Sequence, residues 1–173
     1  LFKEKDFMER VVAPGIWSTD IVGVDANPVG NQVLKISNPV SDPVKMIRTL
    51  KRQMLRETGK QPNVMLLSKE VYDELIDNEE INSKIKLTND KIATKDLLAR
   101  LFEIEEIVVS EAIINTADRG EEAEMKFMLN DGVMLLLYRP KTAGLKKVSA
   151  GYTFNWTKLG LTDEPINGVA IKR

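Results

Sequence analysis

The sequence predicts an α+β fold. Three stretches carry this prediction: a helix at residues 42–58, a buried strand at residues 63–67, and two strand-like runs around an Asp-Gly pair at residues 131–132. The first has apolar residues at helical spacing, the second is a short continuous apolar run, and Asp-Gly suits a tight hairpin turn. With 173 residues, the chain is long enough for one large domain or two small ones that share a core.

Composition narrows the possible functions. Hydrophobic residues make up 43% of the chain and charged residues 29%, which is typical of a folded globular protein. No apolar run is long enough to cross a bilayer, and we expect neither a signal peptide nor a membrane partner. Cysteine and histidine are both absent. Their absence excludes thiol chemistry, a Ser-His-Asp triad and histidine-ligated metals, and we expect no metal and no cofactor.

The charges are segregated along the chain, although the net charge is only −1. Residues 70–80 carry six acidic and no basic side chains, whereas residues 41–60 carry six basic and two acidic ones. Residues 100–124 are also acidic, and residues 138–173 are basic. Such segregated charge suits contacts with a protein partner better than bulk nucleic-acid binding.

Short elements precede the long helix. Residues 1–10 are interpreted as an arm and residues 13–24 as a strand-like stretch with glycine interruptions. Residues 25–31 then form a loop, and residues 32–36 alternate between polar and apolar types, which predicts a short strand.

The helix at residues 42–58 has a recognisable start and end. Asp42 can cap the first backbone N–H groups, Pro43 suits the first helical position, and Gly59 can adopt the left-handed conformation that closes the last turn. Lys51 falls in the apolar sector, where we expect it to extend to solvent or to meet a carboxylate. The apolar stripe expected to face the core consists of Val44, Ile47, Leu50, Met54 and Leu55. A basic stripe on another side consists of Lys45, Arg48, Arg52 and Arg56.

The middle of the chain predicts a strand followed by two capped helices. After the strand at residues 63–67, Ser68 can cap a helix at residues 69–77. Thr94 can cap a further helix at residues 95–102. The segment between these helices is predicted to be looser and contains Ile81, Ile85 and Leu87.

The last third of the chain predicts mainly strands. Residues 106–114 are β-branched and indicate one strand, and residues 123–129 and 133–138 indicate a hairpin around the Asp-Gly turn. The second hairpin arm is apolar on both faces, so we place it at the centre of a sheet. A basic loop at 140–147 and a further strand at 149–156 follow.

Two charged surfaces leave alternative functions open. The acidic helix at residues 70–80 could serve a carboxylate-dependent hydrolase, but a row of carboxylates on one outward face is more often solvated. The basic stripe of the long helix could contact nucleic-acid phosphates in a nucleic-acid-binding module. No aromatic residues interleave with that stripe, so base stacking is not indicated.

Several stretches, taken together and in this order, point to a known family. They are Gly15-Ile-Trp17, Ser41-Asp-Pro43, residues 61–67 with Val71-Tyr72-Asp73, residues 94–102, residues 106–117, residues 133–140 and residues 149–156. These stretches resemble phage or prophage major capsid proteins of the HK97-like fold. The resemblance covers most of the chain, and its parts occur in the family's order.

The resemblance implies an HK97-like capsid fold with a long spine helix and an inserted axial-type domain. Residues 1–59 would form a peripheral-type domain with an N-terminal arm and the spine helix, residues 60–150 the axial-type domain, and residues 151–173 a return to the peripheral-type domain. It also implies a structural virion subunit that assembles with copies of itself, as pentamers and hexamers, into an icosahedral shell around the genome. Such a subunit is made in the cytoplasm of the bacterial host. It meets packaged DNA only by non-specific proximity, has no small-molecule substrate and is not an enzyme.

Complementary charge predicts how adjacent subunits meet. A shell subunit touches its neighbours through different surfaces, so complementary patches should lie on different sides of one molecule. We expect Asp73, Glu74 and Asp77 to contact basic residues of an adjacent subunit. The expected basic residues are Arg139, Lys141, Lys146 and Lys147.

Overall fold

The structure is a computed structural model that describes residues 10–13, 15–17, 19–89, 94–118, 120–142, 144 and 147–149. Helices and strands both occur, which confirms the mixed character of the predicted fold. In chain order the elements are β1 (Val22–Val24), β2 (Gln32–Leu34), α1 (Pro43–Thr58), β3 (Val64–Ser68), α2 (Lys69–Asp77), α3 (Glu79–Asn89), α4 (Lys95–Phe102), β4 (Glu106–Ser110), β5 (Ile113–Asn115), β6 (Met125–Phe127) and β7 (Met134–Leu137).

A three-stranded sheet in the order β4-β3-β7 forms the middle of the fold. β3 runs parallel to β4 and antiparallel to β7. Its Met65 and Leu67 are fully buried and pack with apolar side chains of all four helices. The helical members of this core are Val44, Ile47, Val71, Leu75, Ile81, Ile85, Leu98 and Phe102. Two smaller pairs accompany this sheet: β1 with β2, which are parallel, and β5 with β6, which are antiparallel.

Helix α1 has the predicted bounds. The Asp42 side chain accepts a hydrogen bond from the backbone N–H of Lys45 at 3.0 Å, and Gly59 has φ +70° and donates its N–H to the Leu55 carbonyl. Val44 and Ile47 are buried as expected. The predicted core position of Leu55 is wrong, because its side chain is 38% exposed. Buried positions in α1 end at Lys51, so the last two turns pass beyond the elements that cover its start.

Leu50 and Met54 are only half-buried. They were predicted to face the core, and they instead line an open groove that is described below. Lys51 is buried, and its amine donates hydrogen bonds to the carbonyls of Phe102 and Glu103 at 2.8 and 2.9 Å. Its amine also lies 3.6 Å from the Glu103 carboxylate.

The looser segment predicted after α2 is wrong, because the chain there forms α3. The Asn78 side-chain oxygen accepts hydrogen bonds from the backbone N–H groups of Glu80 and Ile81, which caps the start of this helix. Ile81 and Ile85, four residues apart, lie on one face and are buried in the core. Burial of this face stabilises a helix whose sequence is only weakly amphipathic.

Strand pairing differs from the prediction in two places. Residues 106–114 form two strands rather than one, because the chain breaks at Glu111 and Ala112 and β5 leaves the main sheet. The predicted hairpin is also wrong: β6 pairs with β5, whereas β7 pairs with β3. The turn itself is present, with Gly132 at φ +73°. Among the described strands β3 is central and β7 lies at the edge, which reverses the predicted placement.

Some predictions concern residues that the structure does not describe. These are residues 1–9 of the arm, most of the strand at 149–156, and the return of residues 151–173. Strand formation in residues 13–24 is limited to β1 among the described residues, and β2 ends at Leu34 rather than at residue 36.

Candidate assembly surfaces

The acidic face of α2 consists of Glu70, Asp73, Glu74 and Asp77. Helix α2 begins at Ser68, whose hydroxyl accepts a hydrogen bond from the Val71 N–H at 3.4 Å. This start directs Val71 and Leu75 into the core and leaves the acidic side chains outside it, where Glu70 and Glu74 also line the open groove beside α1. Glu70, Asp73 and Asp77 are exposed, and Glu74 is half-buried.

One member of the acidic face is already paired. The Lys69 amine lies 2.6 Å from the Asp73 carboxylate, one helical turn away. This hydrogen bond raises the pKa of the Lys69 amine, because the carboxylate stabilises its charged form. Within the described part of the chain, Glu70 and Asp77 form no ion pair. The face therefore keeps most of its negative charge.

The basic stripe of α1, Lys45, Arg48, Arg52 and Arg56, is exposed along its whole length. Its first and last residues are eleven positions apart, which is about 16 Å along the helix axis. Among the described residues no carboxylate lies within ion-pair distance of any of the four side chains. The stripe is therefore a row of positive charge with no described internal counter-charge.

The predicted basic contacts at residues 139–147 have different environments. Arg139 forms an ion pair with Glu106, and its backbone N–H and carbonyl both bond to the Asn63 side chain at 2.7 Å. The Lys147 amine donates to the Thr142 hydroxyl. Lys141 is exposed beside a small polar cleft of about 410 Å³, and Lys146 lies outside the described residues.

An apolar groove of about 1000 Å³ runs along α1. Met46, Leu50 and Met54 line one side of it, and the strand β7 lines the other. The β1–β2 pair and Trp17 complete its walls, while Val148 and Ser149, near the end of the described chain, also reach it. The sequence analysis did not predict this groove. The signal for it in the sequence is that the apolar stripe of α1 is wider than the part that the core covers.

In the described part of the chain, no group of three or more acidic side chains could hold a metal ion. No helix there is long and apolar enough to cross a membrane.

Comparison with known proteins links the chain to phages. No protein-family model matches it. Over 73 residues it is 38% identical to the major capsid protein of Burkholderia phage BcepMu. The chain is similar to a phage major capsid protein. The match covers 42% of this chain and 24% of the relative, so the chain matches about a quarter of that relative's length. The predicted resemblance to phage major capsid proteins is confirmed.

The fold is shared with a solved structure. A crystal structure of a phage-related protein from Bordetella bronchiseptica RB50 superposes with a TM-score of 0.68. The superposition covers 87% of this chain and 46% of that protein, with 24% sequence identity. This similarity shows a common fold.

Proposed function

We propose that the chain belongs to a structural subunit of a phage or prophage icosahedral capsid, which assembles with copies of itself around the genome. The observation that carries this proposal is the 38% identity with a protein named major capsid protein. Under this proposal the role of the protein is to build a shell through contacts between its copies, and it has no catalytic activity. Its segregated surface charges support that role, since a shell subunit needs complementary surfaces for its neighbours.

The HK97-like architecture is part of the proposal. Residues 1–59 form the peripheral-type domain with α1 as its spine, residues 60–150 form the axial-type domain, and residues 151–173 return to the peripheral-type domain. The two-ended capping of α1 supports its role as a spine. The apolar groove supports the return, because Val148 and Ser149 reach it and α1 leaves Leu50 and Met54 uncovered there.

The proposed partners are copies of the same chain, arranged as pentamers and hexamers. Packaged DNA lies close to the shell without specific contacts, and neither a membrane nor a small-molecule substrate takes part. The protein is made in the cytoplasm of the bacterial host and ends in the virion. At the contacts, the carboxylates of Asp73, Glu74 and Asp77 approach basic side chains of an adjacent subunit. Those proposed basic side chains are Arg139, Lys141, Lys146 and Lys147.

Electron microscopy of the full-length protein tests this proposal. Purified protein at low salt is expected to form closed particles, or rings of five or six subunits. A sample of the same protein, unfolded and left in denaturant, serves as the control for non-specific aggregates. Protein that stays monomeric at every salt and protein concentration would contradict the capsid assignment.

A further inference from the structure

We propose that the basic stripe of α1 is a docking surface for a second copy of this chain, which presents the acidic face of its α2. The inference rests on the proposed assembly function, because it names the surfaces through which copies meet. It gives the acidic face a different basic partner from the contacts at residues 139–147 proposed above, where Arg139 is already paired with Glu106 within the chain.

The stripe is available for such a contact. Some cations of the described surface are engaged within the chain, namely Lys35 with Asp25, Lys69 with Asp73 and Arg139 with Glu106. In the same described residues, none of the four stripe side chains has a carboxylate partner. A neighbour can therefore bind the stripe without first breaking an existing ion pair.

The acidic face matches the stripe in sign and in spacing. Arg48, Arg52 and Arg56 recur every four residues, which places successive charges about 6 Å apart along α1. On α2 the charges recur every three or four residues, about 4.5 to 6 Å apart, from Glu70 to Asp77. Two helices lying side by side can therefore bring three opposite charges into register.

The two surfaces do not meet within one molecule. No ion pair joins α1 to α2 in the described part of the chain. When one copy offers its stripe and the next offers its acidic face, the contact is head-to-tail. Repetition of such a contact closes a ring if the rotation between copies allows it, as a shell subunit requires.

A second copy fits the stripe better than nucleic acid does. The chain carries 26 acidic and 25 basic side chains, so its surface as a whole offers a polyanion no net attraction. No aromatic side chain interleaves with the stripe to stack on bases. The acidic face of another copy can bind the stripe through local charge pairs, and it needs neither a positively charged overall surface nor aromatic side chains for stacking.

Charge reversal with rescue tests the pairing in the full-length protein. Arg48→Glu with Arg56→Glu, at the two ends of the row of arginines, and separately Glu70→Lys with Asp77→Lys, at the two ends of the acidic face, are each expected to slow assembly by about tenfold or more in light scattering at low salt. The four substitutions together restore opposite charges and are expected to return the rate to within about threefold of wild type. Thermal unfolding shows that each variant is folded.

Matched controls change the net charge equally at exposed sites elsewhere. Lys86→Glu with Arg100→Glu mirrors the basic variant, and Glu121→Lys with Glu122→Lys mirrors the acidic variant. Both controls are expected to assemble within about twofold of wild type, since net charge alone acts weakly at screened distances.

The possible failures are distinguishable. Normal assembly of the Arg48 and Arg56 variant would overturn this inference while leaving the capsid function intact. A failure of the combined variant to recover would overturn it in the same way. Loss of duplex DNA binding in the stripe variant with unchanged assembly would assign the stripe to nucleic acid and overturn it too. A wild-type protein that does not assemble would overturn the proposed function and this inference together.

Discussion

Among single residues, Lys51 shows how a buried charge can stabilise a fold. Its amine donates to the carbonyls of Phe102, the last residue of α4, and of Glu103, the residue that caps this helix, and neither carbonyl has a partner inside the helix. A positive charge at this end also complements the helix dipole. Lys51 therefore joins the middle of α1 to the end of α4, across 51 residues of sequence.

Replacing Lys51 tests this link. Lys51→Met keeps most of the side-chain volume but leaves two carbonyls without their donor, so we expect a loss of about 1–3 kcal/mol in the free energy of unfolding. Arg52→Met, at the next and exposed position, is expected to change it by less than about 0.5 kcal/mol. Urea denaturation measures both. Equal losses in the two variants would contradict the capping role of Lys51.

A second residue-scale prediction concerns Asp42 and pH. The hydrogen bond from the Lys45 N–H, helped by the Lys84 amine, holds the pKa of Asp42 below its ordinary value of 3.8. A depressed folded-state pKa stabilises the fold above the unfolded-state pKa, and that stabilisation is lost as pH falls through the folded-state pKa. Asp42→Ala is therefore expected to cost about 1 kcal/mol at pH 7.

The difference between wild type and Asp42→Ala should shrink below about pH 4, where the wild-type carboxylate begins to take up a proton. Thermal unfolding of both proteins from pH 7 to pH 3 measures this difference. A difference that stays constant down to pH 3 would show that the carboxylate charge contributes nothing to the cap.

At the scale of elements, α1 presents four different surroundings along one helix. Its first two turns are buried by α3 and α4, its basic stripe is exposed, its middle lines the groove, and its last turn is exposed. The apolar stripe in the sequence is continuous over all these regions. Apolar spacing therefore defines which side of a helix is apolar, but burial also depends on what packs against each turn.

A pair of alanine substitutions separates the buried and exposed parts of α1. Ile47 is fully buried, and Ile47→Ala should cost about 2–4 kcal/mol through lost burial and the cavity left behind. Leu55 is 38% exposed, and Leu55→Ala should cost less than about 1 kcal/mol. Chemical denaturation compares them. A larger loss of stability in Leu55→Ala than in Ile47→Ala would contradict the assignment of the core to the first turns of α1.

At the scale of the whole molecule, the segregated charges predict how the proposed assembly depends on salt. Exposed ion pairs each contribute at most about 1 kcal/mol, so several must act together between copies. Salt shortens the Debye length from about 30 Å at 0.01 M to about 8 Å at 0.15 M. Assembly of the full-length protein is therefore expected to slow steadily over this range.

Light scattering across a salt series measures that rate. The variant with Asp73, Glu74 and Asp77 all changed to lysine should assemble more slowly at low salt, since like charges then face each other between copies. Salt is expected to reduce the difference between this variant and wild type. If the triple variant assembles at the wild-type rate, the acidic face is not part of the contact between copies.

The sequence by itself determined the elements whose signals are local. The caps at Asp42, Ser68, Thr94 and Gly59 fixed the helix bounds, since each acts on backbone groups within about four residues. Apolar residues at helical spacing, short apolar runs and β-branched stretches placed most helices and strands for the same reason. The stretches that resemble phage major capsid proteins were also visible in the sequence alone.

Tertiary structure decided what depends on distant partners. Helix α3 forms because the core covers Ile81 and Ile85, and its cap at Asn78 was not apparent in the weak pattern around it. β7 pairs with β3, about 70 positions earlier, instead of with the adjacent β6. A turn reverses the chain, but a strand pairs with whichever exposed edge supplies matching hydrogen bonds and buries its apolar side chains. That choice, and the groove left beside α1, depend on how all elements fill the space together.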